Sequence, residues 1–447
     1  MRRKKVQVLK IQDIYTLKKF YNNFDPTHPL QAGDPNYIDC QAVRGDSNIL
    51  QQGIGKTIEF SDSVTCQLYT GHRGVGKSTE LLRLKQYLEE NGYLVVYFDA
   101  AVEIDPEDAR YTDILLACTR HLLDALNGED NAIMQWLEDR LLSLKELATM
   151  SIAVGDSAIG FFAQLMSSLR AVPDMRHQIR QQVDPHTVSL IDALNEFIQD
   201  AQKDLSGNKL VLIADSLDRI VPIVTDPESK RTNHDEIFID RSEQLNALQC
   251  HLIYTVPISM AYSGSLNHLH DRYGFVDTLP MITVREKESR KPYLPGIEVF
   301  KQLIVRRMQA ITPDLSGDHI FEDANTLTEL CIMSGGNIRN LILLMRMIME
   351  RTPQLPIPIR VVRRAISEVR ETYRRMIFEH QWNLLAEVYL SQDMPNEPQY
   401  RKLLFDRCIL EYRQVDDDQN IITWHDVHPL IEGLDKFHRT LKKRLSK

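Results

Sequence analysis

The chain has 447 residues, 43% of them apolar and 26% charged, with Gly and Pro at 19 each. These values exclude a collagenous, low-complexity or wholly disordered protein and leave room for two or three domains. A formal net charge of −9, from 53 basic and 62 acidic side chains, excludes nucleic-acid binding driven by the chain as a whole, so any basic surface has to be local.

Six cysteines, Cys40, Cys66, Cys118, Cys250, Cys331 and Cys408, stand without a C-x-x-C pair. That usage fits reduced, mostly buried thiols of a cytoplasmic protein better than a disulfide frame or a zinc site. The basic start Met1-Arg2-Arg3-Lys4-Lys5 precedes no long apolar run, so no secretory signal is expected. Leu147 to Met166 is apolar but broken by Gly155-Asp156-Ser157, whose charge is costly in lipid; a buried helix pair, with no membrane contact, is expected there.

In chain order, residues 24 to 65 are rich in Pro, Gly, Asp and Asn and predict an extended arm with turns, lying on the domain that follows. Within it, Gly53-Ile54-Gly55-Lys56-Thr57 ends like a phosphate loop, but Leu50 occupies the first glycine's place and no β-branched run precedes it, so a helix or turn is expected. Cys66 to Thr70 reads as a strand, Glu80 to Leu88 as a helix ended by Gly92, and Leu94 to Phe98 as a second strand buried on both faces.

Residues 101 to 208 are helical in pattern, with stripes at Ile114, Leu115, Cys118, Leu122 and Leu126, then at Trp136, Leu137, Leu141 and Leu144. Asp184-Pro185 predicts an N-cap with proline in the first turn of a helix that continues to Leu205. Three more strands are expected at Lys209 to Ala214, His251 to Val256 and Val276 to Val284, which together imply an α/β fold with a doubly wound, parallel five-stranded sheet. After a break at Arg290-Lys291-Pro292, residues 296 to 350 return to helical spacing, and Pro353, Pro356 and Pro358 mark the next boundary. Helices over Val361 to Glu379 and Trp382 to Leu390, then two short strands about the polar turn 416 to 420, suggest a winged helix.

The chemistry centres on Gly71-His72-Arg73-Gly74-Val75-Gly76-Lys77-Ser78, which satisfies G-x-x-x-x-G-K-[ST] between a strand and a helix. The glycines allow backbone N–H groups to curl around a β-phosphate, and the helix that follows, running on through Thr79, adds its positive end. ATP and Mg2+ are the expected ligands: Lys77 for the β- and γ-phosphates, Ser78 for the metal. A phosphate loop needs an acid at the end of another buried strand, and Asp215 closes the run Leu210 to Ala214. Asp218 is the candidate for orienting the attacking water, against the alternative of a helix cap or a partner for Arg219.

The loop, Asp215-Ser216-Leu217-Asp218, Thr255 at a strand end, and Ser334-Gly335-Gly336-Asn337-Ile338-Arg339 opening a helix together resemble AAA+ ATPases, nearest the branch shared by STAND-type signalling and origin-recognition ATPases. The resemblance covers about residues 36 to 350. It implies that Thr255 is a sensor-1 residue near the γ-phosphate and Arg339 the sensor-2 arginine of a helical lid. Ser216 stands where many AAA+ proteins carry a catalytic Glu, which implies slow, switch-like hydrolysis. Arg231, Arg241 and Arg272 are open candidates for a trans-acting arginine.

The expected organisation is an arm (1–65), a P-loop core (66–290) with its helical insertion (101–208), a lid (291–352) and a winged helix (353–447), with hinges near 285–295 and 351–358. The expected partner is a second copy of the chain, a protein effector or both, and the resemblance to bacterial members suggests anti-phage defence. Two other readings stay open: a DNA-binding initiator or transposition-type ATPase, and a scaffold that binds nucleotide without hydrolysing it. For DNA, the winged helix and a basic surplus would serve: Arg360, Arg363, Arg364, Arg370, Arg374 and Arg375, with the basic C-terminal tail, against an alternative solvated helix face. His425 and His428 are weighed as metal ligands and read instead as a packed wing.

Overall fold

Five strands, the inner ones rich in apolar and β-branched residues, pair into one parallel sheet. They are β1 (Cys66–Thr70), β2 (Leu94–Asp99), β3 (Leu210–Asp215), β4 (His251–Thr255) and β5 (Asp277–Thr278), in the spatial order β2-β3-β4-β1-β5. The computed structural model describes residues 9–10, 14–126, 158–204, 209–226, 228, 231–262, 264 and 266–446. The chain divides into two units: residues 48–70 with 80–278, which contain the sheet, and residues 1–47 with 71–79 and 279–447.

In the sheet unit, β3 and β4 are buried along their whole length, which is why both read as near-continuous apolar runs. Phe98, Leu212, Ala214, Leu252 and Tyr254 turn to one face and join a core with Ile114, Leu115, Cys118, Leu190, Leu194 and Ile198. Strand side chains alternate between faces. Tyr97, Asp215 and Thr255 therefore share the other face, and the register sets Asp99 beside Asp215 and Thr255 beside Tyr69 at the carboxyl edge.

Helix α1 (Lys77–Glu90) follows the phosphate loop and is ended by Gly92 at φ +84°. Within the insertion lie α2 (Tyr111–Ala125), α3 (Ala158–Ala171), α4 (Pro173–Val183) and α5 (Thr187–Asp204). The stripe at Trp136, Leu137, Leu141 and Leu144 and the start of the Leu147 to Met166 stretch lie outside the described residues. Asp184 does not act as the expected cap. Its carboxylate accepts the Thr112 hydroxyl, and a 3-10 turn over Asp184–His186 leads into α5. The Gly53 to Thr57 segment is a helix, Ile54–Phe60, as expected; a Cβ on Gly55 would stand 2.3 Å from the Leu50 carbonyl oxygen.

The last strand is shorter than the sequence suggests. Only Asp277 and Thr278 pair with β1. Pro280 has no N–H to give to a ladder, and the next donors are taken elsewhere in the second unit: Ile282 N–H by Gly336 O at 3.2 Å and Thr283 N–H by Val43 O at 2.9 Å.

The second unit carries α6 (Leu294–Gln309), α7 (Ala324–Met333) and α8 (Ile338–Arg351), then α9 (Ile359–Met376), α10 (Gln381–Ser391) and α11 (Pro398–Phe405). An antiparallel hairpin follows, β6 (Ile409–Val415) with β7 (Ile421–Val427), and the chain ends on α12 (Asp435–Leu445). Asn337 caps α8, its side chain accepting the Asn340 N–H. None of the six cysteines forms a disulfide, and five are buried. Among the described residues no helix is long and apolar enough to cross a membrane.

Candidate nucleotide site

The loop leaves the sheet at the carboxyl end of β1 and enters α1 at Lys77. Gly71, Gly74 and Gly76 hold φ values of +145°, +90° and +110°, a region that side-chain-bearing residues rarely adopt. A Cβ at Gly71 would stand 2.4 Å from the Leu279 carbonyl oxygen, and one at Gly74 2.6 Å from Asn337 Oδ1. Such left-handed turns gather successive N–H groups into an anion cradle. Lys77 is buried and curls under its own loop, Nζ donating to Gly71 O at 2.7 Å and to His72 O at 3.1 Å. Thr79 Oγ1 accepts the Leu30 N–H at 3.2 Å, which ties the N-terminal arm to the loop.

The two bulky residues between the glycines are held by the C-terminal segment. His72 Nε2 accepts the Glu411 N–H of β6 at 2.9 Å, so the ring proton of this buried imidazole sits on Nδ1. Burial, with the Lys77 charge beside it, pushes its pKa well below the usual range and keeps it neutral. The Arg73 guanidinium lies 4.6 Å from the Phe405 ring centre and donates to Phe405 O. On the other side, Asn337 Nδ2 donates to Arg73 O at 2.9 Å, Arg339 N–H donates to Gly74 O at 3.0 Å, and Arg339 Nε donates to Pro26 O at 3.2 Å. The structure thus brings Gly71–Thr79, Arg339 with its neighbour Asn337, and residues the sequence reading missed, Pro26, Phe405 and Glu411, into one unit.

Asp215, Asp218 and Thr255 belong to the sheet unit. Asp215 Oδ1 accepts the Ser216 N–H at 2.6 Å and Oδ2 the Tyr97 hydroxyl at 2.7 Å. Ser216 is left-handed, φ +66°, a form that costs a non-glycine residue free energy. The turn after it, Leu217–Arg219, carries Asp218 and is braced by Thr255, whose Oγ1 accepts the Leu217 N–H at 2.9 Å. Asp218 itself is buried. Tyr97 gives no signal of its own in the sequence, where it is one more residue compatible with a buried strand. The Ser78 hydroxyl and the Asp215 carboxylate are each hard oxygen donors of the class Mg2+ takes.

The first expected hinge is tied down within its unit. Arg285 Nη2 meets Glu432 Oε1 at 2.5 Å, Arg290 Nε meets Asp426 Oδ2 at 2.9 Å, and Gln392 Nε2 donates to Lys287 O at 2.5 Å. Of the open arginines, Arg231 pairs with Asp240, Arg272 with Glu243, and Arg241 lies over the Tyr111 ring. Much of the positive charge on α9 is matched by neighbouring carboxylates: Arg363 by Glu329, Arg364 by Glu368, Arg374 by Glu371. Asp416, Asp417 and Asp418 sit at the tip of the hairpin.

His425 and His428 are pushed down to about 4 and about 3 by burial. His428 Nδ1 accepts the Leu430 N–H at 3.1 Å and packs against Tyr373. Among the described residues no group of three or more His, Cys, Asp or Glu could hold a metal ion. Because these rings are neutral when folded and titrate near 6.5 when unfolded, the unfolded chain takes up the protons first as pH falls. Stability is expected to be full above about pH 6.5 and to decline toward pH 4. Thermal melts between pH 7.5 and 4.5 check this; a midpoint constant over that window would contradict it.

No protein-family model matches the chain, and no curated protein matches it. Solved structures do resemble it. The ORC2 protein of Aeropyrum pernix, in ADPNP and ADP complexes, gives a TM-score of 0.41 at 11% identity, over 95% of this chain and 98% of that one. A Walker-type ATPase of Pyrococcus abyssi gives 0.41 at 12%, over 94% and 99%. The ORC1 protein of Aeropyrum pernix in complex with DNA gives 0.36 at 11%, over 99% and 98%. With TM-scores below one half, none of these decides the activity of this chain.

Proposed function

We propose that the chain is an ATP-binding, Mg2+-dependent P-loop ATPase of AAA+ type that acts as a nucleotide-controlled switch. Lys77 contacts the β- and γ-phosphates, Ser78 and Asp215 hold the metal, Asp218 orients the attacking water, and Thr255 and Arg339 respond to the γ-phosphate. Hydrolysis is slow, in keeping with Ser216 at the usual glutamate position. The division into arm, core, lid and winged helix, with hinges near 285–295 and 351–358, belongs to this reading. The STAND-like branch, a second copy or protein effector as partner, and a role in anti-phage defence rest on the motif resemblance alone.

The observation that carries the switch is the docking of His72 and Arg73 on Glu411 and Phe405. A loop that tightens around a triphosphate pulls on both contacts, so the C-terminal segment has differential contact with the two nucleotide states, which a ligand-driven shift requires. Hydrogen exchange over residues 405–428, compared between ADP and a slowly hydrolysed ATP analogue, tests it. A change in protection is expected; equal protection in both states removes the switch.

A further inference from the structure

We propose that Tyr97 is a positioning residue for the divalent cation at Asp215, an inference that rests on the ATPase reading above. Tyr97 comes from β2 and stands opposite Ile213 in the register, two residues before the row that pairs Asp99 with Asp215. A period of two puts all four on one face of the sheet. From there the phenol reaches Asp215 Oδ2 at 2.7 Å, while the Ser216 N–H takes Oδ1 at 2.6 Å. The carboxylate is 1% exposed.

Each oxygen of the carboxylate is thus pinned by a donor from a different direction, one from the neighbouring strand and one from the left-handed turn. The turn is itself held by the Thr255 hydroxyl through the Leu217 N–H. These donors set the plane of the group. Mg2+ demands near-ideal octahedral geometry and gives up its waters reluctantly, so a carboxylate that must first be oriented binds it less well. Outer-shell partners of metal ligands typically contribute about 10–100-fold in metal affinity.

The test measures binding of a fluorescent, slowly hydrolysed ATP analogue across a Mg2+ titration and in excess EDTA, for the full chain, Tyr97→Phe and Asp215→Asn. Direct Mn2+ binding by electron paramagnetic resonance gives an independent measure. Tyr97→Phe is expected to raise the Mg2+ concentration for half-maximal enhancement by about 10–100-fold, with EDTA binding and melting temperature close to the parent protein. An unchanged Mg2+ midpoint in Tyr97→Phe, while Asp215→Asn raises it, overturns the role of Tyr97 and leaves the ATPase reading standing. A parallel drop in melting temperature and EDTA binding with no Mg2+ effect also overturns it, because Tyr97 is then only structural. No Mg2+ effect in Asp215→Asn overturns the metal assignment itself, and the proposal with it.

Discussion

Lys77→Ala is expected to weaken ATP binding by about a hundredfold or more. Lys77 Nζ lies buried beneath the loop, where it donates to Gly71 O and His72 O. On the proposed ATPase reading, it would trade these carbonyls for phosphate oxygens when nucleotide enters. Charge-assisted hydrogen bonds contribute about 1.5–3 kcal/mol each, and two of them correspond to roughly two decades of affinity or more. The alanine variant also takes a donor away from two loop carbonyls. Calorimetric titration with ATP, beside a thermal melt, separates the two consequences. A variant that melts normally yet binds ATP as tightly as the parent removes Lys77, and with it the phosphate-loop assignment.

The second large effect is expected at Arg180 in the insertion. Its guanidinium is 4% exposed and grips Asp113 with two bonds, Nε to Oδ1 at 3.0 Å and Nη2 to Oδ2 at 2.5 Å, while Nη1 reaches Asp108 Oδ1 at 3.0 Å. Arg176 extends the ladder to Asp105 and Asp108, both at 2.8 Å. Asp113 is equally buried, so Arg180→Ala leaves a carboxylate without its counter-ion in a dry site. Removing one partner of a buried pair costs about 3–5 kcal/mol, whereas replacing both with apolar residues of similar volume costs far less. Denaturant titration should show that loss for Arg180→Ala and a large recovery in the double variant Arg180→Met with Asp113→Leu. A loss below about 1 kcal/mol, the range of exposed pairs, would show that this ladder does not hold α4 to the unit.

Two segments show where local sequence patterns stop being informative. Asp184-Pro185 has the residues of a helix start, yet the Asp184 carboxylate is taken by Thr112, on a helix far away in sequence. Val276 to Val284 has the composition of a strand, yet pairs over only two residues because Gly336 and Val43 accept its later N–H groups. In both places a distant partner outcompetes the local preference, and no local pattern announces such a partner.

Residue order was enough for the features that depend on neighbours along the chain: the glycine loop running into a helix, the apolar runs of the sheet, Asp215 at a strand end and the helical run whose first turn carries Arg339. Backbone sterics and short-range periodicity dictate these. What those groups touch was settled by packing. It set His72 against Glu411, 339 positions away, Asn337 against Arg73, 264 away, and Tyr97 against Asp215, 118 away. A hydrogen bond across such separations exists only after the strands and helices have come together, when burial has removed the water that would otherwise satisfy each donor and acceptor.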